Sequence, residues 1–171
     1  MFSGRSRGEM WAGQAPFGRA LKLKPSRSEK REMVQTLGSF ELFSRCNRAD
    51  LIALVDAGRP FTVPAHWAIM SEGDAAGSLY AITRGRARVF RGREPISEVG
   101  PGEIIGEMSL LSGRPRRATV TSTSRMAGLR VATDDVTELF ARHPRLLAAV
   151  KQTYETRVAS ASDSTPEYPT P

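Results

Sequence analysis

Glu107 and Arg116 carry opposite charges nine residues apart in the stretch GEMSLLSGRPRRATV (residues 106–120). A Gly-Arg-Pro turn separates them, and the surroundings are otherwise largely apolar. A carboxylate there cannot hold an anion, but it accepts hydrogen bonds from a hydroxyl. An arginine presents a planar, permanently charged fork that matches an oxyanion. Gly106 lets the backbone approach a ligand closely. The short helix expected to begin there offers amide N–H groups without intrahelical partners, which favours an anion. The pattern asks for a ligand with one anionic group and a hydroxyl beside it.

Positioning such a pair needs a folded frame, and the composition supplies one. The chain has 171 residues, 40% hydrophobic and 25% charged, which suits a single domain with a real core. No apolar run approaches the roughly 18 residues of a membrane span, and no apolar stretch follows the basic N-terminus as a secretory signal would require. One cysteine, Cys46, excludes an intrachain disulfide and fits a cytoplasmic location. With only His66 and His143 beside it, a His/Cys metal site is not expected, and neither is a cofactor. No nucleophile–base pair is present either, so an enzyme is not expected.

Net charge is +7, of which residues 1–32 hold +5, from eight Lys/Arg against three Glu. Residues 1–28 read as a basic, disordered arm; the segment to residue 32 could touch nucleic acid or an anionic surface. Helical spacing begins with a cap at Ser28 and runs through Met33, Val34 and Leu37. A second helix follows Asn47, burying Leu51, Leu54 and Val55. Short strands with Gly or Pro turns then recur between Arg59 and Val131, the rhythm of a sandwich or barrel. Arg84, Arg86 and Arg88 alternate with small or apolar residues, giving one wet, basic face. A helix capped by Thr133 or Asp134 buries Val136, Leu139 and Phe140. Pro144 opens a last helix with a stripe of Leu147, Val150, Tyr154 and Val158. The fold class expected is α+β: an antiparallel β-roll, or jelly-roll barrel, with N-terminal helices, a short helix at residue 107 and C-terminal helices. The domain is expected over residues 29–159, with a polar, Pro-rich tail at 160–171.

A cyclic nucleotide has the required shape, with one phosphate and an adjacent ribose hydroxyl. The stretch PGEIIGEMSLLSGRPRRATV resembles the phosphate-binding cassette of cyclic nucleotide-binding domains, the family of the catabolite activator protein, protein kinase A regulatory subunits and cyclic-nucleotide-gated channels. LGSFELFS (37–44), EGD (72–74), Tyr80 and Gly85 extend the resemblance over roughly residues 33–158. It implies that Glu107 and the Gly106 amide hold the ribose 2′-hydroxyl, and that Arg116 pairs with the phosphate. It further implies that the Ser109 and Arg117 amides complete the cradle and that Val89 and Ile96 line the base and ribose pocket. Two features depart from the family. Ala76 and Gly77 stand where Gly-Asp is frequent, leaving open what holds Arg116. Arg117 stands where some cGMP binders place a hydroxyl, so cAMP is the favoured ligand over cGMP. Tyr154 either approaches the base or belongs to the core or a dimer seam. With no helix-turn-helix, kinase, channel or acyltransferase segment in view, the expected role is a regulatory sensor for an effector protein. The alternative is an interaction protein with a vestigial pocket, using its basic arm and arginine stripe.

Overall fold

The computed structural model describes residues 25–162; the expectations for residues 1–24 and for the tail beyond 162 lie outside it. Helix α1 (Arg27–Gly38) starts ahead of the expected boundary. Its cap is Ser26, not Ser28. The Ser26 hydroxyl accepts from the Glu29 N–H (3.2 Å), and the Glu29 carboxylate accepts from the Ser26 N–H (2.6 Å). Of the two serines, Ser26 alone has an acidic residue three positions on, as this reciprocal box requires. Helix α2 (Arg48–Ala57) is capped in the same way by Asn47 and Asp50, and it buries Leu51, Leu54 and Val55.

Eight strands follow: β1 (Arg59–Val63), β2 (Ala68–Met70), β3 (Ser78–Arg84), β4 (Ala87–Arg91), β5 (Glu94–Val99), β6 (Ile104–Ile105), β7 (Thr119–Ser122) and β8 (Met126–Ala132). They form two four-stranded antiparallel sheets in the orders β1-β8-β3-β6 and β2-β7-β4-β5. Strand β6, two residues long, carries no period that sequence could show. Between β6 and β7 lies helix α3 (Glu107–Ser112).

Two cores share the first sheet. Phe61, Val63, Tyr80, Ile82 and Met126 point between the sheets, where Val99, Ile105 and Val120 meet them. Leu79, Ala81, Leu129 and Val131 point the other way and pack on the helices. This explains the unbroken apolar run of β3: both of its faces are covered. Each Val, Leu, Ile, Phe or Met side chain among these contributes about 1.5–3 kcal/mol when fully buried.

Helix α4 (Thr133–Arg142) buries Val136 and Leu139, with Phe140 only partly covered. It has no side-chain cap; Thr133 spends its hydroxyl on the Ala76 carbonyl (2.9 Å) and its N–H on the Gly77 carbonyl (3.2 Å). Helix α5 (Pro144–Ser162) runs past the expected end of the domain. Its buried residues are Leu146, Ala149 and Val150, so the face is rotated from the expected stripe; Leu147 and Tyr154 are half-buried at its margin. Sequence spacing defines a stripe only to within a helix rotation that the neighbouring elements then choose. No helix among the described residues is long and apolar enough to cross a membrane.

The α4–α5 joint is clasped to α2. His143 Nδ1 lies 2.9 Å from Asp50 Oδ1, and Arg145 lies 3.6 Å from Oδ2, which also accepts from the Asn47 N–H (2.9 Å). Desolvation pushes the Asp50 carboxyl up, but the hydrogen bonds from His143 and Asn47 and the Arg145 charge outweigh it and hold the group below its ordinary value.

Candidate functional site

A cleft of about 400 Å³ opens against the second sheet, walled by β4, β5, β6, α3, the start of β7 and the end of α5. Gly106, Glu107, Ser109, Arg116 and Arg117 all face it, and so do Val89 and Ile96. The seven sequence-derived residues are thus gathered in one place. Glu107, Ser109 and Arg116 are almost fully buried, Arg117 is exposed, and Ile96 leaves 46% of its surface in water at the mouth.

Local backbone geometry sets the charged pair. Gly106 takes φ +94°, and a Cβ there would fall 2.6 Å from the Ser78 carbonyl oxygen and 2.7 Å from Arg116 Nη1. Only glycine fits both the conformation and the space. The Gly106 carbonyl is thereby turned toward Arg116, accepting from Nη1 at 2.9 Å, while the Ser78 carbonyl accepts from Nη2 at 2.5 Å. This answers what holds Arg116 where the family's aspartate is missing: two main-chain carbonyls. The backbone of Arg116 is gripped as well, donating to the Asp74 carbonyl (2.7 Å) and accepting from the Gly73 N–H (2.9 Å). The EGD triplet is therefore a clamp on the arginine, while Glu72 ties down the β4–β5 turn by accepting from the Gly92 N–H (2.8 Å).

Burial pulls the Arg116 guanidinium down from its ordinary pKa; Tyr80, Glu107 and Asp74 oppose this, and the Arg130 charge adds to it. The net lowering marks a cation under-compensated by its surroundings, which an incoming anion would relieve.

Glu107 is 0% exposed. Its Oε1 accepts from Arg157 Nη1 at 2.6 Å, and its Oε2 is buried without a hydrogen-bond partner among the described residues. A buried carboxylate oxygen in that state is rare and costly, and it calls for a donor. Arg157 also lies 3.7 Å from Glu103, so α5 is tied to two carboxylates of the cleft. Sequence reasoning missed Arg157, Ser160 and Ala161, which α5 contributes to the wall. Tyr154 does not line the cleft.

Residues 60–143 match the family model described as cyclic nucleotide-binding domain. A cyclic nucleotide-gated potassium channel of Rhizobium etli is 31% identical over 153 residues, covering 90% of this chain and 42% of the channel. A cAMP-dependent protein kinase regulatory subunit of Eremothecium gossypii is 32% identical over 125 residues, 72% of this chain and 27% of the subunit. The chain therefore spans less than half the length of these relatives. The solved catabolite activator protein of Thermus thermophilus superposes with a TM-score of 0.64 at 27% identity, over 71% of this chain and 59% of that one. Antiparallel β-roll, flanking helices and family match agree: the chain belongs to the cyclic nucleotide-binding domain family.

Proposed function

We propose that the cleft binds a cyclic nucleotide, cAMP in preference to cGMP, and that the chain acts in the cytoplasm as a regulatory sensor for an effector protein, by binding and not by catalysis. The phosphate sits at Arg116, at the first amides of α3, including that of Ser109, and at the Arg117 amide just before β7. The ribose 2′-hydroxyl donates to Glu107 with the Gly106 amide alongside, and Val89 and Ile96 contact the base and ribose. One observation carries this reading: a buried carboxylate oxygen with no donor among the described residues shares a cleft with a buried guanidinium whose hydrogen bonds run to two main-chain carbonyls. A cyclic nucleotide supplies both missing partners at once. The purine preference rests on Arg117, which offers no hydroxyl to guanine.

The signal follows from the tie between Glu107 and Arg157. A hydroxyl on Oε2 leaves Oε1 free to keep Arg157, so bound nucleotide fixes the carboxylate that α5 grips. The ligand then biases α5 between a docked and a released position. Calorimetric titration with cAMP and with cGMP tests the reading. Saturable binding with cAMP the tighter is expected. Binding of neither nucleotide would overturn it, and a tenfold preference for cGMP, about 1.4 kcal/mol, would reverse the purine assignment.

A further inference from the structure

The arginine stripe read from the sequence does not act as one surface. Arg88 is neutralised by Glu98 at 2.9 Å, and Arg91 turns into the cleft wall. Arg84 and Arg86 instead stand where β3 turns into β4, and Arg125 stands where β7 turns into β8; all three are exposed. None of the three enters an ion pair with a described residue. The β1–β2 turn reaches the same end of the barrel with exposed His66 and half-buried Trp67.

These turns are stitched into one rigid end. The Arg86 carbonyl accepts from the Thr123 N–H (2.9 Å), and the Arg86 N–H donates to the Ser124 hydroxyl (3.0 Å). Gly85 sits so tightly on the Arg125 main chain that a Cβ would fall 2.3 Å from its carbonyl oxygen. Fully buried Ser122 accepts from the Trp67 N–H (2.9 Å), donates to the Pro64 carbonyl (2.6 Å), and through its own carbonyl receives the His66 N–H (2.7 Å). His66 keeps φ +62° at the tip of that turn. Arg116 lies at the opposite end of β7, so this platform is separate from the cleft.

Arginines that make no ion pair with a described residue, beside a partly exposed tryptophan that packs on the inter-sheet core, all at one end of the barrel, fit an anionic surface. Arginine pairs with lipid phosphate, and tryptophan settles at the headgroup level with its ring half in the apolar layer. A nucleic acid is matched less well. Duplex readers insert a helix or ribbon into a groove, and single-strand binders track a concave channel. Arg84 faces Glu29 and Glu32 across the groove beside α1, so Arg86 and Arg125 form the centre of the patch. We propose that this end of the barrel is a docking surface for an anionic lipid bilayer, with Arg86 and Arg125 on lipid phosphates and Trp67 at the headgroup level.

The test uses the full chain carrying Trp11→Phe, which makes Trp67 its only tryptophan. It is sedimented with vesicles of about three parts phosphatidylcholine to one part phosphatidylserine, and with phosphatidylcholine alone, at several salt concentrations. Salt-sensitive binding to the anionic vesicles is expected, with a blue shift of Trp67 emission. Arg86→Ala with Arg125→Ala should weaken it about thirtyfold, since each surface arginine contributes about fivefold. Thermal unfolding of that variant checks that the fold is kept. Unchanged binding in the variant would place the interaction on the N-terminal basic residues and overturn the proposal. Failure to bind vesicles would overturn it too, as would tighter, Arg86- and Arg125-dependent binding to an oligonucleotide.

Discussion

Replacing Arg116 by alanine removes more than a ligand contact. The side chain is 5% exposed and its guanidinium satisfies the Gly106 and Ser78 carbonyls. Its loss leaves two poorly solvated acceptors and empties the space against which Gly106 is packed. The expected cost in folding stability is about 1–3 kcal/mol. Hydrogen bonds to a charged partner contribute about 1.5–3 kcal/mol, so the phosphate should lose at least about 2 kcal/mol of binding, roughly thirtyfold in Kd. Arg116→Lys should recover part of the affinity through its charge but not the fork that spans both carbonyls. Arg114→Ala is the control, because Arg114 is exposed and, among the described residues, only its backbone N–H is engaged, on the Ser112 hydroxyl at 3.3 Å. Calorimetric titration with cAMP, beside thermal unfolding of each variant, separates the two effects. An equal loss of affinity in Arg114→Ala and Arg116→Ala would show that the phosphate is not read by Arg116. Unchanged affinity in a folded Arg116→Ala would remove the phosphate from this cleft altogether.

Gly106→Ala should lower the unfolding midpoint and abolish cAMP binding, because a side chain at φ +94° costs about 1–3 kcal/mol of strain before its clash with Ser78 and Arg116 is counted. Glu107→Gln keeps the shape but weakens the Arg157 tie, so amide exchange in residues 151–161 should quicken and cAMP affinity should fall about tenfold. Exchange that is unchanged would mean that α5 is held by its apolar contacts alone. Asp50 ionises in the fold below its ordinary value of about 3.9. The stability it contributes is therefore full above that value and is lost as pH falls through the lower, folded value. Urea unfolding of Asp50→Asn should show a deficit near neutrality that shrinks toward pH ~3; a deficit independent of pH would assign the effect to packing.

How legible each part was depended on where its information sits in the chain. The cassette is contiguous and its glycine, carboxylate and arginine carry their chemistry in their types, so Gly106, Glu107 and Arg116 can be read from the residues, while Ser109 and Arg117 come with the family resemblance; all five line one cleft. Val89 and Ile96 lie apart in the chain but came with the family resemblance, and the cleft gathers them too. Arg157 was missed because an arginine on an amphipathic helix looks like any solvated residue until the rotation of that helix is known; α5 turned its buried face to Leu146, Ala149 and Val150 and so aimed Arg157 inward. The grip on Arg116 was invisible for another reason: it comes from carbonyls, which every residue has. Ser28 reads as a cap because charged residues follow it, yet three positions on stands Arg31; the acidic residue that completes the box, Glu29, lies three positions after Ser26. The arginine stripe failed as a unit because alternation fixes which face a side chain takes, not whether a neighbouring strand brings a glutamate to it.

The clasp of His143 and Arg145 on Asp50 has a mechanical meaning. It pins the start of α5, so a release of that helix from the cleft would pivot at Pro144, as a lever does on its fulcrum. Thirteen residues separate Pro144 from Arg157, an arm of about 20 Å at 1.5 Å per residue. A swing of about 10° at the fulcrum carries the tip through about 3 Å. That travel is enough to part the 2.6 Å contact between Arg157 and Glu107 while the clasp stays shut. The geometry is that of a gear: any rotation at Pro144 is smallest at buried Leu146 and largest beyond Arg157, at the end of the helix farthest from the pivot.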